Sequence, residues 1–348
     1  MKEKKARLIM VISMTVFGTI GIFVRQIDLP PQEIVLFRVL FGLAAILLFF
    51  IFTKRKFDTS FLKVETYVGN RRADPDRAET DPDRADADTD SADADLNVAV
   101  HDVYRAAKRE RNMTILYIVM AGAGLAGGWL CFFTSYTYTT VAIATLCNYF
   151  EPCIVMIASI FLFKEKVTGS RLICFLLSTV GLVLVVLGGG SASGSPDLFR
   201  GVVFGLMSAV FYSFTVICTK QVRSVSGLEM TICQLIVTGS ILLPYTLFTC
   251  GIHLGQLPLK GILCLVIIGV VHTGIIYSTY ITSMGPLKTQ EVAVLAYLDP
   301  TFSVLSSVFI LREPINLLEI VGAVMILGFM VLNELKAGPP KIPDKPKH

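Results

Sequence analysis

Ten apolar blocks, centred near residues 16, 43, 124, 152, 180, 211, 239, 270, 301 and 326, restrict what this chain can fold into. Each runs for about 20 residues, the length a helix rising 1.5 Å per residue needs to cross a hydrocarbon core about 30 Å thick. The chain is 53% hydrophobic and 17% charged, and the apolar residues come in blocks rather than amphipathic stripes. The expected fold class is an all-α polytopic membrane protein of ten transmembrane helices joined mostly by short loops. The start MKEKKAR, followed by an apolar run, resembles a signal peptide, but no small-residue cleavage site follows, so it reads as the first span.

Lysine and arginine are divided unequally between the two sides. Ten spans put both termini and the even-numbered loops on one side, with Lys2, Lys4, Lys5, Arg7, Lys54, Arg55, Lys56, Arg105, Lys108, Arg109, Lys164, Lys166, Arg171, Lys220 and Arg223. The other side has Arg25, Arg200, Lys260 and Arg312. The positive-inside rule therefore places both termini in the cytoplasm. Short loops and no targeting segment point to a prokaryotic cell membrane.

One connection departs from the rest. Residues 57–112 contain ADPDRAETDPDRADADTDSADAD, too acidic and too poor in apolar side chains to bury a core, so disorder is expected there. The following VAVHDVYRAAKRERN reads as a short basic amphipathic helix lying on the anionic inner leaflet. Either the insert is merely solvated, or residues 70–96 tether a cytoplasmic protein partner.

The chain also repeats itself. FTSYTYTTVAIATLCNYFEP at 133–152 aligns without a gap on ITSMGPLKTQEVAVLAYLDP at 281–300, pairing Tyr149 with Tyr297, Glu151 with Asp299 and Pro152 with Pro300. Glu165 and Glu313 follow the two acids at equal spacing. EIVLFR at 33–38 matches EMTICQ at 229–234, with the wider separation accounted for by the acidic insert. The repeats are 7–56 with 113–190, and 199–336, before a tail at 337–348. Five is odd, so the second half enters the membrane inverted relative to the first, an arrangement associated with a site at the midplane and alternating access. Each half carries an acid followed by proline inside an apolar block. Proline bends a helix and frees a carbonyl, which is tolerable next to other helices or a wet cavity.

These residues resemble the EamA-type members of the drug/metabolite transporter superfamily. The resemblance lies in ten spans in two halves, FG at 17–18, FR at 37–38, and the doubled Y-F-E-P with L-F-K-E and Y-L-D-P with I-L-R-E. It implies a transporter of amino acids, other metabolites or drug-like compounds, with a site between spans 1, 3, 4, 6, 8 and 9. The acidic insert and Phe17, where many members place tryptophan, depart from the family pattern.

Glu151 and Asp299 are candidate proton-coupling or cation-binding carboxyls; the alternative is a structural carboxyl pinning the bent helix. Arg38 either snorkels to the surface or pairs with Glu151 or a substrate carboxylate. Asn148 and Thr145 are replaced by Ala296 and Ala293 in the other half, while His272 replaces Gly124, and such asymmetry tells one end of a solute from the other. His272 is a proton carrier or a histidine bonded to a neighbouring helix. Tyr149, Tyr297, Trp129, Tyr277, Phe211 and Tyr212 line an apolar cavity, pack, or sit in an interfacial belt.

GAGLAG at 122–127 fits a dinucleotide fingerprint but lies within an unbroken apolar span, where Gly124 and Gly128 read as helix-packing glycines. The eight cysteines have no C-x-x-C spacing and read as packing residues. No enzyme chemistry, metal, cofactor or nucleic-acid partner is expected. The expected function is a secondary transporter of a small organic solute, in contact with the lipid bilayer and coupled to protons as an exporter. An uncoupled facilitator, or a scaffold or receptor acting through the insert, are the alternatives.

Overall fold

The computed structural model describes residues 3–54, 57–72, 89–163, 169–192, 197–222, 225–284, 287, 292 and 295–337, and those residues contain no strand. The helices are α1 (Glu3–Phe17), α2 (Ile20–Val24), α3 (Pro31–Phe52), α4 (Val64–Arg72), α5 (Thr89–Tyr138), α6 (Val141–Asn148) and α7 (Glu151–Phe163). They continue with α8 (Gly169–Ala192), α9 (Leu198–Gln221), α10 (Gly227–Thr249), α11 (Leu259–Val266), a π-helical stretch Ile267–Ile276, α12 (Tyr277–Met284), α13 (Leu298–Phe309) and α14 (Leu317–Ala337). Among the described residues six helical stretches are long and apolar enough to cross a membrane: 3–24, 31–52, 103–138, 198–221, 227–249 and 259–280. Shorter apolar helices cover 141–155, 172–188 and 317–332.

Large apolar side chains cover the exterior. Phe248 is 90% exposed and Phe52 83%, a surface that water would not tolerate and that lipid would cover. In hydrocarbon every backbone polar group must be satisfied internally, which is why these blocks fold as helices. The interior core joins α3, α5, α10, α11 and the π stretch through Val35, Leu36, Val39, Phe133, Leu235, Leu265 and Ile268. A second cluster joins α6, α8, α9 and α14 through Ile143, Leu146, Val185, Val202 and Ile326.

The main helix pairs are α5 with α9, α8 with α14, α3 with the π stretch, and α10 with both α5 and α3. Small residues allow these approaches. A Cβ on Gly322 would lie 2.4 Å from the Gly181 carbonyl oxygen, so α8 and α14 meet backbone to backbone. Gly124 and Gly128 likewise abut Thr215, Phe211 and Tyr212 of α9.

Two glutamates fasten loops in matching fashion. Glu33, at the third position of α3, accepts hydrogen bonds from the His253 backbone N–H and ring Nδ1, both at 2.7 Å, in the loop after α10. Glu229, at the third position of α10, accepts from the Asp58 backbone N–H at 2.9 Å in the loop after α3, and completes a capping box with Ser226. Helices α3 and α10 thus each hold the loop that leaves the other.

The 57–112 insert differs from the sequence expectation. Residues 73–88 lie outside the described residues, but 89–112 form neither a disordered chain nor a separate helix; they are the first part of α5, continuous with the apolar span. No proline or glycine occurs between Pro82 and Gly122, so nothing stops the helix once started. Helix α4 docks on this extension through Val64, Tyr67 and Ala107.

Candidate functional site

Each acid-proline step opens a new helix instead of bending an existing one. Helix α6 stops at Asn148, residues 149 and 150 form a turn, and α7 starts at Glu151 with Pro152 next. In the other half Tyr297 forms the turn and α13 starts at Leu298, with Asp299 and Pro300 in its first turn. Proline costs nothing at such a position, because its missing N–H would have had no intrahelical acceptor. The carboxyl sits where the helix dipole is positive. The proline cost implied by an unbroken span is therefore avoided.

The two breaks converge. The Tyr149 hydroxyl, in the first break, donates a hydrogen bond to Asp299 Oδ2 in the second, and Thr145 bonds Ser303 at 2.8 Å just beside it. Tyr149 and Tyr280 both lie within electrostatic reach of Glu151 and of Asp299. Glu151 itself has Lys220 as its nearby cation, while Ser213 donates to the Glu151 backbone carbonyl at 3.1 Å. Phe17, Tyr277 and Tyr280 meet edge to face at 6.0–6.4 Å between centroids.

Arg38 points inward rather than snorkelling. It is 7% exposed, its Nε donates to Thr273 Oγ1 at 2.8 Å, and its guanidinium lies 4.2 Å from the Trp129 ring centroid and 5.4 Å from that of Phe133. Tyr136, Tyr212, Tyr277 and Asp299 surround it within electrostatic reach. The side chain stays inside because aromatic faces and a threonine replace water around the cation.

The other candidates make their contacts with different partners, although His272 stays within electrostatic reach of Arg38. His272 is buried, its Nε2 3.2 Å from Thr19 Oγ1 and its ring 5.4 Å from Phe23, so it ties the π stretch to the break between α1 and α2. Thr19 also donates to the Val16 carbonyl, and Nδ1 of the His272 ring lies 3.4 Å from the Ile267 carbonyl. Asn148 accepts a hydrogen bond from Ser208 of α9. Phe211 packs on Gly124 and Gly127, and Tyr297 sits in the α6, α8, α9 and α14 cluster.

Sequence reasoning missed Tyr136, Tyr280, Thr273 and Arg25. Arg25, at the end of α2, donates to Glu313 at 2.7 Å and to the Tyr136 and Thr139 carbonyls at 2.6 Å each. Glu313 accepts in addition from the Val141 backbone N–H at 2.8 Å and from Ser307. One ion pair thus joins α2, the end of α5, the start of α6 and the loop after α13, beside a cleft of about 210 Å³ lined by Arg25, Thr137, Thr139, Thr140 and Glu313. The repeated acid of I-L-R-E was the available signal for Glu313; Arg25 had none.

The EamA-like transporter family model matches residues 101–187 and 199–334. The chain is a member of the EamA-like transporter family. Uncharacterized transporter YxxF of Bacillus subtilis is 27% identical over 337 residues, 95% of this chain and 90% of its own length. Uncharacterized inner membrane transporter YhbE of Escherichia coli K12 is 24% identical over 237 residues, 62% of this chain and 69% of its own. A solved crystal structure superposes on this EamA-like chain with a TM-score of 0.57 at 16% identity, covering 96% of this chain and 98% of its own, which is a likeness of fold.

Proposed function

We propose that this EamA-like protein carries a small organic solute, amino-acid-like or drug-like, across the cytoplasmic membrane by alternating access between two inverted five-helix repeats. The observation that carries this reading is the pair of helix breaks, one per half, joined by the hydrogen bond from Tyr149 to Asp299. Broken helices of this kind offer polar groups at membrane depth only where they face protein or a cavity. The reciprocal loop fastening by Glu33 and Glu229 supports the inverted arrangement. With both termini cytoplasmic, the Arg25–Glu313 network closes the extracellular end.

Transport is coupled to protons through Glu151, which among the described residues accepts no side-chain hydrogen bond and is free to exchange a proton or a solute amine. Residues 70–96 are either a solvated insert or an attachment point for a cytoplasmic partner, in both cases separate from this cycle. The test of coupling is Glu151→Gln in proteoliposomes. Solute flux is expected to persist while accumulation driven by a pH gradient disappears. Accumulation that continues in the variant excludes Glu151 as the coupling carboxyl, and a wild type indifferent to the gradient is an uncoupled facilitator.

A further inference from the structure

We propose that Arg38 is an anion-binding subsite at the centre of the bundle, and that the solute it selects is a monocarboxylate on an apolar, planar body. This rests on the transport reading above and names the substrate class of that site.

Arg38 has unspent donors. Arginine stays charged and presents five N–H groups, and here only Nε makes a hydrogen bond, to Thr273; among the described residues neither Nη atom has a partner. Among the described residues no carboxylate forms an ion pair with it either; Asp299, the nearby acid, accepts from Tyr149. A second donor lies near it: the buried Tyr136 hydroxyl is within electrostatic reach of Arg38 and makes no hydrogen bond of normal geometry among the described residues, Thr145 being the polar side chain next to it. Unspent Nη donors on a buried cation, near a buried tyrosine hydroxyl, are what a bound oxyanion would complete.

Shape and charge narrow the class. The planar fork of a guanidinium matches a carboxylate with two parallel bonds. Trp129, Phe133, Tyr212 and Tyr277 surround Arg38 and give an apolar body flat faces to pack on. Asp299 lies within electrostatic reach of Arg38, so a dianionic phosphate ester meets more repulsion than a monoanion does.

Trp129 is the one tryptophan of the chain and lies against Arg38, so intrinsic fluorescence reads this subsite directly. Purified protein is titrated with 3-phenylpropionate, its amide, and phenyl phosphate. The carboxylate is expected to give a saturable change, with the amide and the phosphate ester each at least tenfold weaker. Arg38→Lys keeps the charge but not the fork and is expected to weaken the carboxylate tenfold; Tyr136→Phe, which removes one oxygen, is expected to weaken it severalfold. Equal binding of the amide, tighter binding of the phosphate ester, or unchanged affinity in both variants overturns the proposal. In parallel, uptake into proteoliposomes is measured with a panel of radiolabelled neutral, cationic and anionic solutes. Flux confined to cations or neutral solutes overturns the carboxylate subsite and leaves transport standing; carboxylate binding without flux of any solute supports the subsite and overturns transport.

Discussion

Gly18 has no room for a side chain. A Cβ there would stand 2.6 Å from the Asp299 carbonyl oxygen and 2.6 Å from Phe302 Cβ, so this glycine lets the break between α1 and α2 lie directly on the first turn of α13. Gly18→Ala is expected to lower stability by about 1–3 kcal/mol, the usual cost of overpacking. Gly328→Ala, where a Cβ meets nothing within 4 Å inside a helix, is the control and is expected to leave the thermal midpoint in detergent unchanged or slightly raised. Tyr149→Phe leaves Asp299 without its hydroxyl donor and is expected to cost about 1.5–3 kcal/mol, measured by the same melt. Glycine and acid were both legible in the sequence as part of a motif. That they touch, and that tyrosine rather than arginine answers the aspartate, was not, because the partners lie more than a hundred residues apart.

Helices were legible where composition decides them and obscure where continuity does. Apolar blocks announced the spans, since hydrocarbon forbids any other backbone there. Acidic composition gave the wrong answer for 89–95, where an absence of breakers extends α5 to 50 residues. Lys108 is exposed on that extension, so Lys108→Pro removes only helix continuity, at about 3 kcal/mol. Hydrogen exchange is expected to quicken for residues preceding 108 while the apolar part of α5 keeps its protection; unchanged exchange would mean the two parts are already independent. At the α8–α14 contact, Gly181 corresponds within one residue to Gly328 in the repeat, yet it packs on Gly322. Repeat alignment gives equivalence under symmetry, whereas packing pairs whatever the bundle brings together.

At the scale of the molecule, one ion pair draws several segments together and, on the transport reading, is a gate. Glu313 gathers Arg25, the Val141 N–H and Ser307, so Glu313→Gln removes the charge that holds four segments together. Left of 312, the chain turns through Arg312 in a left-handed conformation (φ 55°), a constraint that aims Glu313 back at the bundle. Cys147 is fully buried in α6, and its reaction with a membrane-impermeant maleimide is expected to accelerate severalfold in Glu313→Gln. A rate equal to wild type sinks the gate. The inverted arrangement has its own check with the same reagent. A cysteine at Gly255 is expected to label from outside intact cells and one at Lys108 only after permeabilisation; labelling of both from one side contradicts opposed repeats.

Amino-acid order alone determined that the chain is helical and membrane-spanning, that its halves repeat, and that an acid-proline step occurs twice, because each of these is a property of local composition or of internal likeness. Tertiary structure alone decided that the steps are breaks rather than bends, that Arg38 lies under Trp129 instead of at the surface, and that Arg25 meets Glu313. Whether a polar side chain in an apolar helix faces lipid, a partner or a cavity depends on which helix stands opposite, and long-range packing sets that.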